Sequence, residues 1–219
     1  KMLTNSDGKY NRFKANTQTL NEYIAFIESN VLTPITEGPD LGYIENQNLH
    51  GIGAQDMVIV THPKFQLYAD ELAQFHRLND SLRVYVITPD KIYNEFSSGT
   101  PDVSAIRNFM RMLYNNASSE TDMPKYLLLF GDGSYDNKTA GSANSNYILT
   151  YQSINSLIET SSCVSDDFFG LLDDSEGEYL GKMDIGIGRF PVQTTEEARL
   201  MLDKIYKYVS PEAMGDWRT

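Results

Sequence analysis

Short apolar runs alternate with segments of helical periodicity from residue 57 onwards. Three runs of four or five consecutive apolar residues are each followed by a turn-forming residue, which is typical of strands buried on both faces. These three strands are predicted over residues 57–61, 84–88 and 126–130. A fourth strand is predicted over residues 183–188, where apolar residues alternate with glycine.

Between and after these strands, apolar residues recur at spacings of three and four, which is the pattern of a helix with one buried face. The helices are predicted over residues 65–79, 102–116 and 195–209. Thr100 and Pro101 have the residue types of an N-cap and a first helical position, and Thr194 with Glu197 has the spacing of a capping box. This alternation predicts an α/β fold with a mainly parallel sheet flanked by helices.

Residues 1–50 lack this alternation. The segment 22–27 is prone to β structure, and an irregular stretch with several prolines and glycines follows it. We interpret residues 1–50 as the tail of a preceding β-rich module and a connector, and residues 51–219 as the α/β domain.

Two further segments fall between the predicted strands. The polar stretch 133–163 has little periodicity and is predicted to be a long loop. Residues 168–173 and 183–188 flank the acidic turn 174–177, which predicts a hairpin with an acidic tip.

The chain of 219 residues carries 30 acidic against 18 basic side chains, a formal net charge of −12. Such a surface disfavours nucleic acid and anionic membranes as partners and is compatible with a divalent cation. No run approaches the roughly 18 apolar residues of a membrane helix, so we expect no direct membrane insertion by this chain. A single cysteine, Cys163, excludes an internal disulfide and a thiolate zinc site.

Candidate metal ligands follow from the predicted strand ends. Asp132 lies in a Gly-Asp-Gly turn after the third strand, the pair Asp166 and Asp167 precedes a predicted strand, and Asp184 begins another. Carboxylates at a sheet edge beside flexible turns suit a hard cation such as Ca²⁺. The alternative stays open at this point, because Asp-Gly pairs are also common turn formers and acidic loops are often solvated.

Nucleophilic chemistry has weaker support in the sequence. Cys163 is the only thiol, and none of the three histidines, His50, His62 and His76, is its neighbour along the chain. A lone cysteine in this polar context is typical of a small buried filler. Arg189 is expected to form a structural ion pair rather than a substrate contact.

The residues are specific enough for a family resemblance. The chain resembles the gingipain-type cysteine peptidases, and in particular the branch that acts as signal peptidase and sortase of type IX secretion in Bacteroidetes. The similar stretches cover essentially all of residues 44–209 in order. They are IENQNLHG, DMVIVTHPKF, VITPDKIYNEFSSGTPDVSAIRNFM, PKYLLLFGDGSYDN, LTYQS, VSDDFFGLLDD, and DIGIGRFPV followed by TTEEA.

The resemblance implies that this chain is the first of two side-by-side, caspase-like α/β subdomains. The family's catalytic Cys and His lie in the second subdomain, so no catalytic residue is expected here and Cys163 does not match the nucleophile. The resemblance also implies a structural Ca²⁺ site in this half. Its ligands would be the carboxylates of Asp132, Asp167 and Asp184 and the carbonyls of Val164 and Phe169.

The function implied by the resemblance is that of a non-catalytic subdomain of a cysteine endopeptidase or sortase. The parent protein would process C-terminal signals of exported proteins, with a thioester acyl-enzyme formed on its cysteine. The implied partners are the second, catalytic subdomain and exported protein substrates, and the implied location is the periplasm, outer membrane or cell surface. The alternative is a secreted scaffold or binding module with a peptidase-like fold and no activity.

Overall fold

The computed structural model describes residues 44–136, 145–154, 157–158, 160–177 and 180–210, together with scattered residues before 44. The chain divides into two units, Lys1–Glu45 and Asn46–Thr219. In the first unit, strands β1 (Asn5–Ser6) and β2 (Asn11–Arg12) pair antiparallel. Residues 23–25 of the segment 22–27 lie outside the described residues, and the interpretation of residues 1–50 as a module tail stays a prediction.

The second unit contains the predicted α/β alternation. Its strands and helices in chain order are β3 (Met57–Thr61), α1 (Gln66–Asn79), β4 (Val84–Ile87), α2 (Pro89–Phe96), α3 (Val103–Asn115), β5 (Tyr126–Phe130), β6 (Tyr151–Gln152), β7 (Val164–Ser165), β8 (Gly186–Phe190) and α4 (Thr195–Val209). Four strands form one sheet in the order β4-β3-β5-β8, and all of its pairs are parallel. The fold class predicted from the sequence is therefore confirmed.

Three of the four predicted strands and all three predicted helices form within two residues of their expected bounds. Strand β8 begins at Gly186, three residues later than predicted. Helix α3 begins at Val103, and its N-cap is Asp102, whose side chain accepts a hydrogen bond from the Ser104 amide at 2.7 Å. The prediction of Thr100 as the N-cap is therefore wrong, whereas the capping box of Thr194 and Glu197 is present.

Helix α2 is absent from the sequence-based prediction. Pro89 directly follows the predicted strand 84–88 and was expected only to end it. In the structure β4 ends at Ile87, Thr88 is the N-cap of α2, and Pro89 is its first residue, where a missing amide hydrogen costs nothing. The helix is only eight residues long and buries Ile92 and Tyr93. A helix of about two turns is too short for its hydrophobic periodicity to be recognised reliably in the sequence.

The predicted acidic hairpin is wrong. Residues Asp167–Gly170 form a 3-10 helix instead of a strand, and the described part of the turn region contains only an isolated bridge between Gly177 and Leu180. Phe168 and Phe169 are buried, and Phe169 is fully enclosed. Their side chains pack against one face of the sheet. A short apolar run has the same sequence pattern whether it forms a strand or a 3-10 turn that packs in this way, so the sequence did not distinguish the two.

The side chains of the sheet alternate between two apolar layers. Val58, Val60, Leu127 and Leu129 pack with α2, α3 and the 3-10 helix Asp167–Gly170 on one face. The other face packs against α1 and α4 through residues that alternate with these, namely Met57, Ile59, Leu128 and Phe130. Leu128 and Ile185 are 7% and 4% exposed, as buried strand positions require. Full burial of one such side chain contributes about 1.5–3 kcal/mol.

A buried carboxylate joins the beginnings of three strands at the amino edge of the sheet. Asp56 accepts hydrogen bonds from the Arg83 amide at 2.9 Å, from Arg83 Nε at 2.8 Å and from Lys125 Nζ at 2.8 Å. Its backbone carbonyl accepts from the amides of Lys125 and Tyr126. Hydrogen bonding to the Arg83 guanidinium holds the pKa of Asp56 well below its usual range, although burial opposes the shift.

Replacing Asp56 by Asn should lower the free energy of unfolding by about 2–3 kcal/mol at pH 7, because two cations and a backbone amide lose their shared carboxylate. A lowered folded-state pKa contributes stability that is full above the unfolded value of about 4 and declines as the pH falls below it. The difference in the free energy of unfolding between the unsubstituted chain and Asp56→Asn should therefore shrink on acidification. Urea unfolding at pH 7 and at pH 3 measures this difference.

The exposed Asp203, which pairs with Arg199 one helical turn away, provides the matched control for this prediction. Asp203→Asn should change the free energy of unfolding much less, because exposed pairs along a helix contribute little. Equal effects of Asp56→Asn and Asp203→Asn would contradict the role assigned to Asp56.

Candidate functional site at the carboxyl edge of the sheet

The carboxyl ends of the parallel strands meet at one edge of the sheet, which is the usual position of binding sites in such folds. His62 follows β3, Asp132 follows β5, and Val192 follows β8. The amide of His62 donates to the carbonyl of Phe130, and the amide of Asp132 donates to the carbonyl of Val192. The segments after three adjacent strands are therefore held together by backbone hydrogen bonds.

Arg189 on β8 connects this edge to the long segment between β5 and β8. Its Nε and one terminal nitrogen donate to the two carboxylate oxygens of Asp166, both at 2.7 Å. The remaining donors bind three carbonyl oxygens, those of Gly131, Ile148 and Leu149, at 2.9–3.2 Å. The Arg189 side chain is 11% exposed. Because the guanidinium has five N–H groups and makes five hydrogen bonds, it is fully occupied by the protein.

This arrangement confirms that Arg189 forms a structural ion pair. It also assigns Asp166, one of the two adjacent carboxylates considered as metal ligands, to the guanidinium. The paired N–H groups match the two carboxylate oxygens in the bidentate geometry that makes Arg–Asp pairs strong.

The Gly-Asp-Gly turn fits tightly beneath Arg189. Gly131 has a φ of +151°, a conformation that favours glycine. A Cβ atom on Gly133 would collide with the Thr150 side chain and would lie 2.9 Å from both the Arg189 guanidinium and the Ile148 carbonyl. Glycine at position 133 is therefore required by close packing.

Asp132 organises the turn through both its backbone and its side chain. Its carbonyl accepts hydrogen bonds from the amides of Tyr147 and Ile148. One carboxylate oxygen accepts from the Gly133 amide at 2.9 Å, and the other accepts from the Gln193 side chain at 2.6 Å. These contacts are those of a turn-forming aspartate, which was one of the two interpretations of this residue.

His62 lies beside this turn in an aromatic environment. Its ring contacts Tyr147 with a centroid distance of 4.8 Å, and its Nδ1 accepts a hydrogen bond from the Lys64 amide. Burial lowers the pKa of His62, which favours the neutral ring that an acceptor nitrogen requires. His62, Asp90, Tyr93 and Tyr147 line a cavity of about 290 Å³.

The five residues predicted to bind Ca²⁺ do not meet at one point. Asp132 follows Phe130 by two residues and Asp184 precedes Gly186 by two, while Phe130 pairs with Phe190 and Tyr126 with Gly186. Asp132 and Asp184 therefore lie at opposite ends of paired strands that are about 13 Å long. Two ligands of one Ca²⁺ are at most about 5 Å apart, so these two carboxylates do not bind the same ion.

The other three predicted ligands lie between these ends. Val164 is half exposed on β7, and Phe169 is buried in the 3-10 helix that contains Asp167. The Asp167 amide donates to the Ser165 hydroxyl. Whether Val164, Asp167 and Phe169 bind a cation stays a prediction.

A different carboxylate cluster forms around Asp184. Carboxylate oxygens of Asp173, Glu176 and Asp184 lie within 4.8 Å of one another, a spacing at which one metal ion can bind all three. The Asp184 carboxylate accepts from the Leu172 amide at 2.8 Å, and that of Glu176 accepts from the Lys182 amide at 2.9 Å. Each carboxylate oxygen has a second lone pair available to a cation.

Helix α3 positions this cluster. The Tyr114 hydroxyl donates to Asp173 at 3.1 Å, and this bond raises the pKa of Tyr114. Arg107 donates to the carbonyl of Glu176 at 2.8 Å. Asp173 and Glu176 belong to the segment expected to be a solvated hairpin tip, so the sequence analysis missed them. The high density of acidic residues in this segment was the available sign of a metal site. That their carboxylates lie beside Asp184 is visible only in the folded structure.

Cys163 is exposed, so its prediction as a buried filler is wrong. Each histidine has other neighbours: His50 stacks on Phe96, His62 contacts Tyr147, and His76 is bonded to Asp80 at 2.6 Å. In the described part of the chain, no hydrogen bond joins Cys163 to a histidine. An exposed thiol without an oriented base is a poor nucleophile at neutral pH.

Comparison with known proteins supports the resemblance noted in the sequence. The pattern of peptidase family C25 matches residues 53–219. The dimeric latent PorU of Porphyromonas gingivalis is 38% identical over 81% of this chain and 18% of that chain, with a TM-score of 0.72. A second structure, described only as a protease, is 19% identical over 69% of this chain and 27% of that chain, with a TM-score of 0.44. No curated protein matches significantly.

The four-stranded parallel sheet and its two helical layers therefore define an α/β domain of the PorU type. The chain belongs to peptidase family C25, the gingipain family. It spans less than a fifth of the length of the PorU chain that it matches. Among the described residues, no helix is long and apolar enough to cross a membrane.

Replacing Arg189 by Lys should lower the free energy of unfolding by about 2–3 kcal/mol, because lysine keeps the charge but cannot reproduce five directed hydrogen bonds. The amides of Tyr147 and Ile148, which bond to the neighbouring turn, should then exchange hydrogen faster. Urea unfolding and hydrogen exchange followed by mass spectrometry measure these two effects.

Arg199→Lys is the matched control, since Arg199 pairs with Glu71 and both side chains are more than a third exposed. It should cost at most about 1 kcal/mol and leave exchange at the carboxyl edge unchanged. If Arg189→Lys and Arg199→Lys behave alike, the central role of Arg189 is refuted.

Proposed function

We propose that the chain is the non-catalytic first α/β subdomain of a gingipain-like cysteine endopeptidase or sortase, which processes C-terminal signals of proteins exported by type IX secretion. The observation that best supports this proposal is the 38% identity to PorU across 81% of the chain.

The proposed role of this subdomain is to support the catalytic subdomain and shape part of the substrate groove. A rigid carboxyl edge suits that role, because the fully bonded Arg189 on β8 holds Asp166 and the turn after β5 in place. The proposed partners are accordingly the catalytic subdomain and exported protein substrates. The proposed location is the periplasm, the outer membrane or the cell surface.

We further propose that the metal ion accepted by Asp173, Glu176 and Asp184 is Ca²⁺, with a structural role. Three carboxylates within 4.8 Å repel one another strongly unless a cation or a proton compensates them. Oxygen ligands without nitrogen or sulfur donors favour Ca²⁺ or Mg²⁺ over transition metals, and an irregular turn suits the flexible coordination of Ca²⁺. The ion would fasten the segment before β8 to itself and, through Tyr114, to α3.

The 219-residue chain alone should show no peptidase activity on an unfolded protein or on Arg- and Lys-directed peptides. The physical reason is that, among the described residues, no hydrogen bond joins Cys163 to a histidine that could generate its thiolate. Fluorogenic turnover of the purified chain, measured against buffer, tests this expectation. Cys163→Ala is the control, and a turnover that this substitution abolishes would contradict the assignment of the chain as non-catalytic.

Millimolar Ca²⁺ should raise the melting temperature of a chelator-treated sample, because an ion that binds only the folded state stabilises it by about 2.7 kcal/mol at a hundredfold excess over Kd. Asp184→Asn should abolish the rise, since the amide keeps the acceptor for Leu172 but removes the charge. Differential scanning calorimetry in EDTA and in Ca²⁺ provides the measurement.

Asp132→Asn and Asp203→Asn are the matched controls, and both should keep the rise. Loss of the rise in Asp132→Asn alone would move the ion to the carboxyl edge. An unchanged melting temperature of the unsubstituted chain in Ca²⁺ would refute the calcium proposal, while leaving the proposed non-catalytic role untouched.

A further inference from the structure

A cavity with several polar groups lies at the carboxyl edge of the sheet, where β3 and β4 end side by side. After β3 the chain turns to the layer of α1 and α4, in which Phe65 is buried, whereas after β4 it turns to the opposite layer, in which Ile92 is buried. Strands whose connections leave towards opposite faces open a crevice at their carboxyl ends, and ligands of α/β sheets bind in such crevices. The cavity in this crevice has a volume of about 290 Å³, and its lining includes His62, Asp90 and Tyr93.

The hydroxyl of Tyr93 has no hydrogen-bond partner among the described residues, although Tyr93 is only 5% exposed. Burial, and then the negative charge of Asp90, raise the pKa of Tyr93, so the hydroxyl keeps its proton. A buried hydroxyl needs a hydrogen-bond partner. Because Tyr93 lines the cavity, that partner must be a water molecule or a ligand.

His62 contributes a second hydrogen-bond donor. Its Nδ1 accepts a hydrogen bond from the Lys64 amide at 3.2 Å, so the neutral ring carries its proton on Nε2. Burial lowers the pKa of His62, which favours this neutral form. Within the described ranges no group accepts a hydrogen bond from Nε2, so this N–H group is also available to a ligand.

Asp90 supplies an acceptor. It is exposed in the first turn of α2, and in the described part of the chain its carboxylate forms neither an ion pair nor a hydrogen bond. Among the described residues that line the cavity, it is the only charged side chain, since His62 is neutral. The cation of Lys64, whose charge also acts on His62, donates to the carbonyl of Gln193 at 2.7 Å instead.

Two donors and one acceptor restrict the chemistry of a ligand. A carboxylate would accept from both donors but would be repelled by Asp90, and an ammonium group would leave both donors without an acceptor. A carboxamide satisfies all three groups, because its oxygen has two lone pairs and its nitrogen carries hydrogen. We propose that the cavity binds a carboxamide whose oxygen accepts from Tyr93 and His62 and whose N–H group donates to Asp90.

The carboxamide is that of an Asn or Gln side chain of a peptide. The cavity is at the lower end of the roughly 300–1,000 Å³ of small-ligand pockets, which suits a single side chain. Tyr93 is almost fully buried, so the end of a side chain reaches it, whereas a main-chain amide has the peptide chain on both sides. The proposal rests on these residues and not on the proposed peptidase role, so its failure would leave that role unaffected.

The test measures the binding of capped tripeptides, N-acetyl-Gly-Xaa-Gly-N-methylamide with Gln, Glu, Lys or Gly in the middle, to the isotopically labelled 219-residue chain. The Gln peptide should shift the NMR signals of the Lys64 and Leu149 amides, and the other three should bind at least about fivefold more weakly. Tighter binding of the Lys peptide would assign the cavity to a cation, and equal binding of the Gly peptide would assign it to a main-chain amide. Either result would overturn the proposal, as would unchanged signals at about 10 mM of every peptide.

Two substitutions test the individual contacts, with circular dichroism to establish that each variant is folded. Tyr93→Phe should weaken binding of the Gln peptide about fivefold without lowering the melting temperature, because the hydroxyl has no partner among the described residues. Asp90→Asn removes the repulsion, so the Glu peptide should then bind about as tightly as the Gln peptide.

Tyr206→Phe is the matched control, since the Tyr206 hydroxyl donates to Glu71 at 3.1 Å in the other layer. It should lower the melting temperature and leave peptide binding unchanged. Unchanged binding in a folded Tyr93→Phe, or equal weakening by Tyr93→Phe and Tyr206→Phe, would overturn the proposal. If a variant does not fold, the order of the four peptides on the unsubstituted chain still decides it.

Discussion

The bidentate pair of Arg189 and Asp166 holds the carboxyl edge together. The Arg189 side chain, only 11% exposed, makes all five of its possible hydrogen bonds. It joins strand β8 to the turn after β5, to the segment before β6 and to Asp166 after β7. A buried guanidinium N–H group without an acceptor would lower the stability of the fold. Each of the five acceptors must therefore keep its position. This mutual dependence makes the edge a rigid unit.

The amino edge is organised by the opposite charge. Asp56 is a buried carboxylate that gathers Arg83, Lys125 and backbone amides where three strands begin. Each edge of the sheet is therefore held by one charged side chain that is surrounded by hydrogen-bonding partners. This side chain is Asp56 at the amino edge and Arg189 at the carboxyl edge. Between these edges the stability of the sheet comes from alternating apolar side chains in two layers, which set the register but do not distinguish the two edges.

Membership in peptidase family C25 places these features in a known family of cysteine peptidases. Its one thiol is exposed and its histidines have other partners, while its charged groups form structural networks at the strand ends. The acidic cluster around Asp184 is the only described group of three carboxylates spaced for one metal ion, and it lies on the segment before β8. The domain thus combines a sheet held at both edges with one acidic cluster that could bind a metal ion.

The sequence by itself determined the four strands of the parallel sheet and the three longer helices, because hydrophobic periodicity is a local property of neighbouring residues. It did not predict the two-residue strands β6 and β7. It also indicated that Asp132 and Arg189 have polar roles at strand ends. Only the tertiary structure separated Asp132 from Asp184, joined Asp184 to Asp173 and Glu176, and assigned Asp166 to Arg189. These contacts depend on strand order and register, which bring distant residues together and are not encoded in any local pattern.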